Sequence, residues 1–207
     1  MASAERTFEV LVLGREPGGE AHLRTWCLER EDGRMMLLQR MAKRKNQPLA
    51  ALDLFDHAEA HLDRRKGSGP GFLKDAIHIA RHPELAQHYP SFQAAAQWNR
   101  WVRDNVPDGQ PVPELFELTL QTWRALIRSR KPTLVLLKAL FRWTRAEGYP
   151  VNEGWLARLP DEERAEAYHW LAHPLSELEA VEDAHAKASL QSLQRFLTYE
   201  AELRLAD

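Results

Sequence analysis

Nine histidines, one cysteine and two dense runs of arginine and lysine are the side chains in this 207-residue chain whose types could do chemistry. His57 and His61 stand four apart in "HAEAH", but the glutamate falls one place too late for the HExxH zinc motif. On a strand, positions i and i+4 share a face yet lie too far apart to grip one ion, so no metal is expected there. His169 and His173 flank a helix end, and His78, His82 and His88 are scattered, so surface or capping roles are expected for all five. Cys27 sits in an apolar stretch and reads as a small buried hydrophobe. One cysteine excludes a disulfide or a four-cysteine zinc site within the chain and fits a reducing compartment. There is no phosphate-binding loop, no GxSxG and no dinucleotide fingerprint, and "GREPGG" lacks the spacing. Nothing here argues for catalysis, and no cofactor is expected.

What remains is electrostatic. The net charge is only −2, but the charge is unevenly spread. From Arg34 to Leu52 run five bases (Arg34, Arg40, Lys43, Arg44 and Lys45) and no acid. Arg64, Arg65 and Lys66 form a second knot in "DRRKGSGPG". From Leu118 to Ala146 there are seven bases and again no acid, whereas from Val151 onward acids outnumber bases twelve to five. Arg124, Arg128 and Lys131 recur at i, i+4 and i+7, and Lys138, Arg142 and Arg145 share a face at helical spacing. Each run reads either as a solvated loop or helix face, or as a seat for a polyanion.

The elements that must position these residues change character near residue 80. Before it, short apolar segments alternate with turn signals: "TFEVLVLG", the turn "REPGGEA", "HLRTWCLERE" with Leu23, Thr25 and Cys27 on one face, the hairpin turn "EDGR", "RMMLLQRM", the loop "DRRKGSGPG" and "FLKDAIHI". Strands and turns at this spacing point to a small sheet or barrel. "LAALDLFDHAEAHL" passes as a helix on propensity. As a strand it places Leu52, Leu54, Ala58, Ala60 and Leu62 on one face with Asp56 out of pattern, and periodicity does not decide between the two. From about residue 81 the pattern is helical, with a stripe of Phe116, Leu120, Trp123 and Ile127, a helix opening at Pro132 and ending by Gly148, and acids opening "DEERAEAYHWLAH". Trp98 and Trp101, beside Arg100 and Arg103, are expected to be helix-packing anchors, with base stacking as the alternative. The N-terminus lacks a basic flank followed by a long apolar run, and "TLVLLKALF" is too short to span a bilayer, so a cytoplasmic protein that does not enter the membrane is expected.

The succession of features resembles the RecO recombination-mediator family of bacterial DNA repair. "FEVLVLGREPGGEAHLRTWCLEREDGRMMLLQRMAKRKNQPLAALDLFDHAEAHL" resembles the family's opening: a strand, a Gly-Glu turn, a strand ending in "EDGR", a basic stretch before a proline, and a long strand. "ELFELTLQTWRAL" followed by "VLLKALFRWTRAEGYPVNEGWL" resembles its helical core, in which a helix ends at a Gly-Tyr-Pro corner. The likeness covers most of residues 7–200. Many members carry a cysteine zinc site after that corner, whereas the surroundings of Trp155 supply no cysteine, and the chain is short for the family.

The resemblance implies an α+β protein, with a five-stranded OB-fold barrel over residues 1–80 and an all-α helical domain over residues 81–207. It also implies that "LAALDLFDHAEAHL" is a strand. It implies a non-enzymatic bacterial protein that binds single- and double-stranded DNA, assists annealing or recombinase loading, and meets a RecR-like protein and the C-terminal tail of single-stranded DNA-binding protein. An OB-fold binds oligonucleotides across strands 2 and 3 and the loops 1–2 and 4–5. That places Arg34, Arg40, Lys43, Arg44, Lys45, Arg64, Arg65 and Lys66 as expected phosphate contacts. Arg124, Arg128, Lys131, Lys138 and Arg142 are then a basic rim suited to the acidic, hydrophobic-ended tail. The competing expectation is a protein-interaction scaffold of the same fold without DNA binding.

Overall fold

A computed structural model describes residues 4–40, 51–64, 71–178 and 180–205. Five strands come first: β1 (Ala4–Pro17), β2 (His22–Glu29), β3 (Gly33–Arg40), β4 (His57–Arg64) and β5 (Gly71–Ala80). They close into a barrel in the order β1-β2-β3-β5-β4. β1 is long enough to pair with β4 through its first half and with β2 through its second. A register shift between Val12 and Gly14 bends it across the closure, as a bulge does. All pairings are antiparallel except the short β3–β5 contact, where Leu37 meets Gly71 and Leu38 meets Phe72. The α+β architecture expected from the sequence, an OB barrel followed by helices, is the one this chain forms.

Side-chain alternation fills the barrel. Val10, Val12, Cys27, Met35, Leu37, Leu52, Ala58, Ala60 and Leu62 form its core. Burying each of the larger ones stabilises the fold by about 1.5–3 kcal/mol. Gln39 also points inward; it donates to Thr25 Oγ1 and to Leu52 O (3.1 Å) and accepts from Leu52 N (2.8 Å), so the buried amide is satisfied. Burial pushes the Cys27 thiol well up from its ordinary value, which leaves it an inert hydrophobe.

Within the stretch expected to be one long strand, the described residues become a strand at His57. Residues 51–56 form a turn, with Phe55 at φ 66°. Asp56 falls out of the strand pattern because it closes this turn. The residue is 3% exposed, and its carboxylate accepts from Asp53 N (2.7 Å) and His78 Nε2 (2.9 Å).

The helices are α1 (Tyr89–Asn105), α2 (Pro113–Arg128), α3 (Pro132–Ala146), α4 (Asp161–Ala172) and α5 (Asp183–Glu200), with short helical turns between some of them. Gly148, at φ 84°, follows the last turn of α3 as a left-handed terminator. Trp98, Trp101 and Trp123 are fully buried. Trp98 Nε1 donates to Thr119 Oγ1 (3.2 Å) and Trp123 Nε1 to Asn99 Oδ1 (2.8 Å), so the indoles anchor α1 on α2. Asp183 on α5 accepts from the Thr133 and Leu134 amides at the N-terminus of α3 (3.3 and 3.1 Å), where the helix dipole favours an anion.

Compact units do not follow a cut at residue 80. Met1–Pro83 groups with Val102–Glu117, and Glu84–Trp101 groups with Leu118–Asp207. The last turn of α1 and the first of α2 thus belong to the barrel unit. Glu9, Arg30, His57 and Phe116 show why. Arg30 bonds Glu9 (3.2 Å) and Glu117 (2.6 Å), and its guanidinium lies 4.1 Å over the Phe116 ring. His57 Nε2 donates to Glu9 Oε1 at 2.7 Å. Burial pushes the Glu9 carboxyl up, but the bonds from Arg30 and His57 outweigh it and hold the group below its ordinary value. No helix among the described residues is long and apolar enough to cross a membrane.

Candidate nucleic-acid interface

Because Thr25 and Cys27 on β2 and Met35, Leu37 and Gln39 on β3 point inward and are buried, their neighbours point out. The register pairs His22 with Arg40, Arg24 with Leu38, and Trp26 with Met36 across the hairpin. The β3–β5 contact adds Phe72 beside Leu38. The outer face of β2 and β3 therefore carries a strip of half-buried Trp26, Met36, Leu38 and Phe72, edged by exposed Arg24 and Arg40. His22 meets Phe72 edge to face at 5.7 Å. An aromatic and aliphatic strip with cations at its border is what base stacking plus phosphate contact requires.

Arg34 helps build this face more than it offers charge. Its Nε bonds Asp108 Oδ1 at 2.8 Å, its Nη1 donates to Arg103 O at 3.0 Å, and its guanidinium lies 5.5 Å from the Trp26 ring centre. Gly33 makes that contact possible. At φ 65°, it has the Pro107 and Gln110 carbonyl oxygens 2.6 Å from where a Cβ would stand. Arg24 reaches Glu16 at 3.5 Å with both side chains about half exposed, a pair weak enough to yield to a phosphate. Arg40 is exposed and forms no ion pair among the described residues.

Of the eight residues expected to touch nucleic acid, Arg40 stands on this face and Arg34 supports it. Lys43, Arg44, Lys45, Arg65 and Lys66 lie outside the described residues, and Arg64 is described through its backbone alone, at the end of β4. The sequence reading did not single out His22, Arg24, Trp26, Met36, Leu38 or Phe72. The signal for the β2 residues was the inward set Leu23, Thr25 and Cys27, whose alternates must face outward.

The five residues expected on a peptide rim are divided. Arg124 and Arg128 line a cavity of about 770 Å³ with Arg130, Leu175 and Ser176. Lys131 also lines it, but its ammonium donates to Leu178 O (2.6 Å) and Val181 O. The Lys138 ammonium donates to Trp170 O, Leu171 O and His173 O, which caps the C-terminus of α4. Burial, and then the nearby Arg142 charge, lower its pKa. Arg142 donates to Gln121 Oε1 at 3.2 Å. The indoles of Trp98 and Trp101, being buried, are closed to bases. Among the described residues no group of three His, Cys, Asp or Glu side chains is placed to hold a metal. No family model matches the chain, and no curated protein matches it.

Proposed function

We propose that this protein is a non-enzymatic nucleic-acid-binding mediator of the RecO kind. It holds single- and double-stranded DNA on its barrel, assists annealing and recombinase loading, and works with a RecR-like protein and single-stranded DNA-binding protein in the bacterial cytoplasm. The observation that carries the reading is the outer face of β2 and β3. On the part of an OB barrel that serves oligonucleotides, it combines Trp26, Phe72 and His22 with Arg24 and Arg40. Phosphate contacts supply affinity without base readout, and stacking is tolerant of sequence. The basic knots at 43–45 and 64–66 follow β3 and β4 in sequence and add charge available to phosphates.

The test is fluorescence anisotropy of a labelled oligothymidine titrated with the full chain over a range of salt. The expected result is binding whose log affinity falls with log salt by about 0.7 per phosphate contact. An Arg24→Glu/Arg40→Glu variant should weaken it, and Lys43→Glu/Arg44→Glu/Lys45→Glu should weaken it further. Absence of binding at low salt contradicts the proposal and leaves the protein-interaction scaffold of the same fold.

A further inference from the structure

We infer that the second compact unit carries a separate groove that grips a second nucleic-acid strand through its phosphates. The groove lies between the C-terminal half of α2, the link that follows it and the turn at 175–176. This rests on the reading of the barrel as a nucleic-acid binder and adds a second strand to it.

Arg124, Arg128 and Arg130 all line this cavity and are exposed. None of the three forms an ion pair among the described residues, whereas Arg15, Arg30 and Arg34 each meet a carboxylate at 2.6–2.8 Å. The chain offers no acid from Leu118 to Ala146 to neutralise them. Like charges one turn apart weaken a helix slightly, and an anion entering the groove would relieve that repulsion. The helix dipole favours Arg128 in the last turn of α2, but it gives no reason for Arg130 beyond it.

Size and lining choose the ligand. About 770 Å³ is within the range of ligand clefts. Arg124 and Arg128 are separated by about 6 Å along the helix, a spacing that suits consecutive phosphates on an extended strand. Lys131 and Lys138, which would have strengthened a peptide rim, hold main-chain carbonyls instead. One strand on the barrel and another in this groove would be held on one molecule with their mutual repulsion screened, which is all that annealing asks of a protein without catalytic groups.

The experiment mixes donor- and acceptor-labelled oligothymidines, which cannot pair, with the full chain and reads energy transfer between them. Arg124→Gln/Arg128→Gln and Arg124→Glu/Arg128→Glu variants run alongside, with thermal melts to verify folding. The expected result is protein-dependent transfer in wild type that falls at least about tenfold in the charge-reversal variant. Anisotropy with one strand should stay within about twofold, since the lost phosphate contacts belong to the second strand. One-strand binding with no transfer in wild type, or transfer unchanged in both variants, overturns the groove while leaving the barrel reading intact. No binding of any strand overturns the barrel reading itself. Binding of a labelled acidic peptide ending in phenylalanine, lost in the variants and indifferent to oligothymidine, overturns the inference in favour of a peptide site.

Discussion

Trp26 is the residue on which the interface turns. It is half-buried on the strand face, held beside Arg34 and flanked by Arg24 and Met36. A stacked base contributes roughly 1–3 kcal/mol, so Trp26→Ala should weaken oligothymidine binding by about 5- to 150-fold and Trp26→Phe by much less, read by anisotropy. Glu9 tests a structural charge instead. Its carboxyl lies below the ordinary 4.5, so the unfolded chain takes up its proton first as the pH falls. The stability that Glu9 adds is present above 4.5 and disappears as the pH drops through the folded value. Wild type should therefore melt above Glu9→Gln at neutral pH, and the gap should close in acid. Lys138 has the opposite place on the pH scale. With its folded pKa below 10.5, its contribution to stability rises as the pH climbs towards 10.5. The urea midpoint of wild type relative to Lys138→Met should move in favour of wild type over that range.

At the scale of elements, the β2–β3 hairpin and the α3 terminus were legible because their signals are local. "EDGR" holds Gly33, the first residue of β3, at positive φ, and Gly148 ends α3 as its type suggests. Gly33→Ala should lower stability by at least about 2 kcal/mol, from left-handed strain and the two carbonyl oxygens at 2.6 Å, measured by urea unfolding. Helices α1, α2 and α3 were legible from their apolar periodicity. The start of β4 was not. Leu52 and Phe55 are buried like the inward strand residues, but they stand in a turn closed by Asp56 and His78, and His78 lies 22 residues on from Asp56. Phe72 was missed for the same reason: its place beside Leu38 depends on the parallel β3–β5 contact. Lys131 and Lys138 fit a basic stripe by spacing, yet tertiary carbonyls from 170 to 181 hold them, and no helical wheel displays those.

For the whole molecule, net charge says little and its distribution says much. The excess of acid that brings the total to −2 lies after Val151, where acids outnumber bases twelve to five, whereas Arg24 and Arg40 border the barrel face and Arg124, Arg128 and Arg130 line the groove of the second unit. Raising salt should therefore weaken nucleic-acid binding while the melting temperature, set mainly by buried apolar surface, moves little. The measurement that bears most directly on the central claim is photo-crosslinking of a bromouracil-substituted single strand to the full chain, with the modified residues located by mass spectrometry. The account expects crosslinks on the barrel face, at Trp26 first and then His22 or Phe72. Efficient crosslinking that leaves this face unmarked would contradict it.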